Sequence, residues 1–201
     1  MTDTSTIYNK ISKNYENTHQ IPSYKIDEFL NRLPKCAKIL DVGCGPGTDY
    51  KYMTEKGFDV YGSDASREMI KLAQAKNLQG KFEIADMRDL QLEPNSIDGV
   101  FVSFSLIHIP KKDTAKTLKT FYNILKPGGL IFVGVQEGES DEVYIAHQHN
   151  PEDKIFFNIF SSKELRALLK EAGFTILKQY RRPPNLENEL NFKKLVLIGR
   201  K

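Results

Sequence analysis

The chain has 201 residues, with 29 Lys+Arg against 26 Asp+Glu and a formal net charge of +3. That length suits one domain with a sizeable core, or one domain with an appendage, and the near-balanced charge argues against a dedicated nucleic-acid binder without excluding a local basic patch. Cys36 and Cys44 make no disulfide framework, and neither they nor the scattered histidines fit a paired zinc-ligand spacing. The start lacks a charged n-region and an apolar h-region, and the longest mostly apolar run, Val100 to Ile109, is about half of a membrane span. These features predict a soluble, intracellular, cytoplasmic chain with no membrane partner.

Along the chain, residues 1–22 read as a polar arm with spaced tyrosines, Tyr8 and Tyr15. Ile26, Phe29, Leu30 and Leu33 then fall at helical spacing and predict a helix over 23–33, stopped by Pro34. From Lys38 onward short apolar runs alternate with helical patterns. The runs predict strands at 39–42, 59–62, 81–84, 99–104 and 130–135, with helices near 48–56, 66–76 and 112–125. That alternation is the pattern of βαβ units and a mainly parallel sheet.

A polar, acidic connection at 136–153 reads as a solvated loop. After it, Ser161 with Glu164 predicts a capping box, Leu165, Leu168 and Leu169 a buried stripe, and Gly173 the C′ position of a helix. The last two strands, 174–180 and 195–199, are joined by a linker too short and too proline-rich for a crossover helix, so they are predicted to be antiparallel. The expected fold is α/β: a doubly wound, Rossmann-like, seven-stranded sheet. Five of its strands are parallel, a C-terminal hairpin follows with its last strand antiparallel, and helices lie on both faces.

The most informative stretch is Ile39-Leu-Asp-Val-Gly-Cys-Gly-Pro-Gly-Thr48, where a strand runs into Gly43, Gly45 and Gly47 and a helix begins. Glycines let the backbone turn tightly and let a ligand approach the main chain, and such an opening at a sheet's switch point is where ligands bind. The dinucleotide fingerprint requires a further glycine where Thr48 stands. Pro46 removes an N–H that a pyrophosphate would use, and Asp49 stands where a phosphate cradle would want a base. A cofactor without phosphates fits better. Asp64, at the end of the second predicted strand and about 20 residues beyond the glycine loop, can accept from both ribose hydroxyls. Asp86 ends the third strand, able to accept from an adenine amine, and Asp41 lies at the foot of the loop.

These motifs, with Gly62-Ser-Asp64, Ala85-Asp86-Met87, Phe101 to Ile109 and Leu125-Lys-Pro-Gly-Gly-Leu130, resemble the successive motifs of class I S-adenosylmethionine-dependent methyltransferases of the small-molecule type. The likeness covers about residues 38–135. It implies that the loop at 43–47, with Gly43, Cys44, Gly45 and Gly47, holds the methionine part of S-adenosylmethionine, Asp64 the ribose, and Asp86 with Met87 the adenine, with Asp41 and Ala65 also in the cofactor site. Ser103 and Phe104 would line the donor near the sulfonium, and S-adenosylhomocysteine would be the product. On that basis 1–22 is an arm or lid, 23–135 a helix plus cofactor core, 136–160 an acceptor-side insertion and 161–201 a terminal helix and hairpin of one domain.

Methyl transfer from a sulfonium is an in-line displacement with a neutral leaving group, so positioning in a dry site supplies most of the acceleration. His108, just past the fourth strand, is a candidate base or acceptor-orienting group, with a packed histidine as the alternative. Tyr8 and Tyr15 are candidate lid residues, Tyr15 also a candidate catalytic one. Glu142, His147 and His149 could ligate a divalent ion, but their spacing matches no established site and a solvated loop is favoured, so no metal is expected. Phe156 to Phe160 either walls the acceptor pocket or docks the following helix.

No Asn/Asp-Pro-Pro-Tyr tetrapeptide and no cysteine stand at the fourth strand, which argues against nucleobase amines and cytosine C5 as acceptors. A small-molecule acceptor leads. An RNA or protein acceptor, served by Lys111, Lys112, Lys116, Lys119, Arg181 and Arg182, is possible but not favoured, and a non-catalytic cofactor-binding protein and a nucleotide-dependent oxidoreductase stand behind it. Oligomeric state is unspecified.

Overall fold

Alternation within the strands decides the layering. In the computed structural model, which describes residues 4–18, 20–147, 150–185 and 190–201 (without the side chains of 13–18, 147, 150 and 151), seven strands form one sheet. They are β1 (Lys38–Val42), β2 (Asp59–Asp64), β3 (Lys81–Ile84), β4 (Ile97–Ser103), β5 (Leu125–Glu137), β8 (Thr175–Arg182) and β9 (Lys193–Arg200). Their order is β3-β2-β1-β4-β5-β9-β8, parallel through β5, with β9 antiparallel to both β5 and β8.

Successive residues of the central strands enter opposite cores. Val100, Val102, Ile131, Val133, Leu195 and Leu197 pack with α5 (Lys111–Ile124) and α6 (Ser162–Ala172). Phe101, Phe132, Val196 and Ile198 pack with α2 (Ile26–Leu30) and α3 (Thr48–Glu55) on the other face. Both faces of the sheet are therefore covered, which is why these strands read as continuous apolar runs rather than alternating ones. The sequence order reverses between β1 and β4, and a crevice opens there at the strands' carboxyl ends.

Three segments depart from the sequence reading. Residues 4–18 form a helix, α1, whose Ile7 is 1% exposed and whose Ile11 joins the α5/α6-side core. Its apolar stripe, Ile7 and Ile11 at i, i+4, is narrow among polar neighbours, so the segment read as an arm outside the core. The predicted helix 23–33 contracts to α2, because Lys25 takes a left-handed φ of +68° at its start. At its other end the turns tighten to i+3 bonds, Arg32 N–H to the Phe29 carbonyl and Leu33 N–H to that of Leu30.

The predicted loop at 136–153 contributes instead to a separate antiparallel pair, β6 (Asp141–His147) with β7 (Asn150–Ile159). Acidic residues masked a period-two signal: Val143 and Ile145 pack inward while Glu142 and Tyr144 face out. Phe156 to Phe160 is split by the same hairpin. Phe157, Ile159 and Phe160 are core, whereas Phe156 meets Tyr144 edge-on on the outer side.

The C-terminal helix α6 keeps half of its capping box. Ser161 Oγ accepts from Glu164 N–H at 3.2 Å, and Gly173 closes the helix at φ +113°. The Glu164 carboxylate does not reach back. It accepts from Lys111 Nζ at 2.7 Å and so ties the starts of α5 and α6 together. Among the described residues no helix is long and apolar enough to cross a membrane.

Candidate active site

The crevice is floored by three loops that leave β1, β2 and β4. In the first, Gly43, Gly45 and Gly47 take φ of +71°, +52° and +81°, a region L side chains rarely adopt. A Cβ on Gly43 would lie 2.3 Å from Ser105 Cβ. The loop's N–H groups are already used. Gly43 and Cys44 donate to the Ser63 carbonyl at 2.7 and 3.0 Å, Gly47 donates to Cys44, and Gly45 donates to Asp64 Oδ2 at 2.9 Å. With Pro46 offering no N–H, the loop has no cradle for a pyrophosphate.

Carboxylates surround this loop instead. Asp41 is 2% exposed, and its Oδ2 has no hydrogen-bond partner among the described residues. Burial pushes its carboxyl well above the usual range, and the charges of Asp49 and Asp64 push it the same way. Burial also raises Asp49, against the Ser23 hydroxyl and N–H, and Asp64, against the N–H groups of Ser66 and Gly45. None of the three is in an ion pair among the described residues. Buried carboxyls held in this way, with no ion pair among the described residues, would be stabilised in their charged form by a cationic group in the crevice.

Asp86 is different. It lies two residues past β3, and Arg88 Nε sits 3.0 Å from each of its oxygens, holding the carboxyl below its ordinary value. The same guanidinium stands 3.6 Å from Asp113. The pairing of Arg88 with Asp86 is a feature the sequence reading missed, although an acid and a base two residues apart beyond a strand end carried the hint.

At the end of β4, Phe104 takes φ +53°, an uncommon backbone for a bulky residue, and its N–H donates to the Gly134 carbonyl at 2.9 Å. Gly134 leaves room for the Phe104 ring, 3.3 Å from where a Cβ would stand. This turn throws the chain into a 3-10 segment, Leu106–His108, and delivers His108 to the crevice rim.

His108 is bonded at both nitrogens. Nδ1 lies 3.0 Å from the Phe156 carbonyl of β7, and Nε2 lies 2.9 Å from Tyr8 Oη of α1. A carbonyl only accepts, so Nδ1 carries the proton of the neutral ring, and Tyr8 donates to Nε2. Burial, with Phe157 packed at 5.1 Å between ring centroids, lowers the imidazole from 6.5 to about 4.

One cavity gathers most of these groups. Gly43, Gly45, Asp64, Ala65, Asp86, Met87, Ser103, Phe104 and His108 line it, together with Thr4, Ser5 and Tyr8 of α1, which roof it. Asp41, Cys44 and Gly47 lie behind that lining. Cys44 is buried with its Sγ against Gly62 and burial raises its thiol, so it packs as a small residue. The Tyr15 side chain lies outside the described residues, as do those of His147 and His149. Glu142 accepts from the Lys111 N–H at 2.7 Å and caps α5. Of the basic residues set out for a polyanionic partner, Lys111, Lys119 and Arg181 are held by Glu164, the Ala172 carbonyl and Glu137.

The comparisons with known proteins converge with this geometry. A family model described as a methyltransferase domain matches residues 16–179. Phosphoethanolamine N-methyltransferase 1 of Arabidopsis thaliana is 32% identical over 74% of this chain and 31% of its own length. A C-methyltransferase of ubiquinone and menaquinone biosynthesis from Rickettsia bellii is 26% identical over 85% of this chain and 84% of its own. Among solved structures, the 1,6-didemethyltoxoflavin-N1-methyltransferase of Burkholderia thailandensis, determined with bound 1,6-didemethyltoxoflavin and S-adenosylhomocysteine, superposes with a TM-score of 0.77 at 22% identity, covering 98% of this chain and 86% of that one. The alignments take in less than half of the first three curated relatives, 43%, 31% and 44% of their lengths. The chain belongs to the class I S-adenosylmethionine-dependent methyltransferases.

Proposed function

We propose that this chain moves a methyl group from S-adenosylmethionine to a small-molecule nucleophile, and that the acceptor lies beneath α1, against Tyr8 and His108. The observation that carries this reading is the hydrogen-bonded chain Tyr8–His108–Phe156 carbonyl opening on the same cavity as the glycine loop and Asp64.

The residues present fit the donor. Asp41, with its orphaned buried oxygen, and Gly43 and Gly45 would hold the methionine end, Asp64 the ribose, and Met87 with Asp86 the adenine. When bound, the donor supplies an electrophilic methyl on a sulfonium, and the thioether left behind is neutral. The chain's own part is to orient, to keep water out and to manage one proton. Tyr8 Oη–H is turned to His108 Nε2, so the phenol presents lone pairs to an acceptor. An acceptor that sheds a proton on methylation can pass it to Tyr8 Oη as the phenol's own proton moves to Nε2. The Nδ1–Phe156 bond keeps the ring in the tautomer this requires.

Calorimetry and a labelled-methyl screen of metabolite and RNA extracts test the reading together. Tyr8→Phe is expected to leave donor affinity intact and lower turnover by about 10²-fold, the low end of general acid–base contributions. Equal losses of binding and turnover would move Tyr8 into a purely structural role. Transfer to RNA alone would overturn the small-molecule acceptor.

A further inference from the structure

Ser23 lies between α1 and α2, Asp49 in the first turn of α3, and Ser103 at the end of β4. These three separate pieces of chain meet in one line of hydrogen bonds. Ser23 N–H donates to Asp49 Oδ1 at 2.7 Å, its hydroxyl donates to Asp49 Oδ2 at 2.6 Å, and Ser23 Oγ lies 2.7 Å from Ser103 Oγ. The direction of the line follows from counting protons. A carboxylate only accepts, and a serine hydroxyl has a single proton. Ser23 gives its proton to Asp49, so the bond between the serines must use the proton of Ser103. Ser103 lines the same cavity as Gly43 and Gly45, and it therefore faces that cavity with lone pairs and no proton.

We propose that Asp49 and Ser23 are positioning residues that fix the Ser103 hydroxyl as an acceptor, so that the site favours the cationic methyl donor over its neutral demethylated product. This rests on the proposed donor site and on the family resemblance, which implies that Ser103 stands beside the methyl-bearing end of the donor. An oxygen lone pair attracts the positive charge spread over a sulfonium and its methyl hydrogens, and has no such hold on a thioether. The tether also begins at the segment that connects α1 to the rest of the chain, so the roof's root and the donor's environment share one carboxylate.

The isosteric change Asp49→Asn reverses the line without changing its shape. The amide oxygen still accepts from Ser23 N–H, but the amide nitrogen must donate to Ser23 Oγ. Ser23 then donates to Ser103, whose proton is driven into the cavity. Calorimetry of the full chain with S-adenosylmethionine and with S-adenosylhomocysteine reads the result. Asp49→Asn is expected to weaken the methylated donor about tenfold and the demethylated product by less than about twofold, the scale of a lost charge-assisted contact.

Ser23→Ala, which cuts the line, should lower the same preference, and Ser23→Thr, which keeps the hydroxyl, should restore it. In a Ser103→Ala background, Asp49→Asn should leave the preference unchanged. Equal weakening of both ligands by Asp49→Asn, or a shifted preference that persists without the Ser103 hydroxyl, overturns the positioning role while leaving the donor site standing. Unchanged donor affinity in Ser103→Ala overturns the placement of Ser103 itself. Thermal melts report which variants fold, and if Asp49→Asn does not, the Ser23→Ala and Ser23→Thr pair decides the matter by the same ratio.

Discussion

The floor and the roof of the cavity are built by opposite means. The floor is backbone: glycines at positive φ, N–H groups closed onto Ser63 and Asp64, and a strained Phe104 turn locked to Gly134. The roof is side chain. α1 is held by Tyr8 to His108, by Asn9 to the start of α4 (Arg67–Lys76), by Lys10 to Asp153 of β7, and by Ile7 and Ile11 in the core. Backbone geometry tolerates change in the surrounding side chains, whereas a roof of side-chain contacts is altered one residue at a time. The proposed donor site thus stands on the fixed floor, and the proposed acceptor face on the retunable roof.

The largest expected effect comes from breaking the floor. Gly43→Ala adds a Cβ 2.3 Å from Ser105 Cβ at a φ of +71°, so both sterics and backbone oppose it. It should cost about 3 kcal/mol or more, combining overpacking with a strained backbone, and should abolish donor binding. A melt with a calorimetric titration checks both. Retained binding would mean that the floor yields as easily as the roof.

Next in size is the roof's response to acid. His108 is depressed from 6.5 to about 4, so the resting fold holds the ring neutral. Its contribution is complete above pH 6.5 and is lost as pH falls toward about 4, because the unfolded chain takes up the proton first. The loss is at most roughly 3 kcal/mol, at about 1.4 kcal/mol per pH unit of depression. The stability difference between the native chain and His108→Gln should shrink across that window and be flat above it, as denaturant melts at stepped pH would show.

The smallest effect sharpens the contrast. Asn9 Oδ1 accepts from Ser66 Oγ at 2.7 Å and from Glu68 N–H at 3.1 Å, so α1 supplies a cap to the first turn of α4. Asn9→Ala should cost about 1 kcal/mol, as a lost helix cap does. Amide exchange should quicken in α1 and at the α4 start while β1 and β4 keep their protection. Uniform acceleration would show that roof and floor open as one unit.

The sequence made the floor legible and hid the roof for a physical reason. Glycine spacing, strand-end acids and the Lys126-Pro-Gly-Gly stretch at the start of β5 are local signals, each written in a few consecutive residues. Hence the seven-stranded sheet, its reversed last strand and its crevice could be read directly. The α1 helix shows only Ile7 and Ile11 on a polar background, and β6 carries its Val143–Ile145 alternation under a run of acids. Both are stabilised by partners far along the chain. The pairings Tyr8–His108, Ser23–Asp49 and Asp86–Arg88 differ in the same way: the last spans two residues and was visible in principle, the first spans 100.

Ile7 and Ile11 have one more consequence, in the thermodynamics of ligand exchange. If the donor enters and leaves by lifting α1, each exchange exposes two buried isoleucines to water, at roughly 1.5–3 kcal/mol apiece. Newly wetted apolar surface raises heat capacity. The activation of exchange should then carry a positive heat-capacity change and a curved Eyring plot, and a polar residue in place of Ile7 should straighten that curve while speeding release.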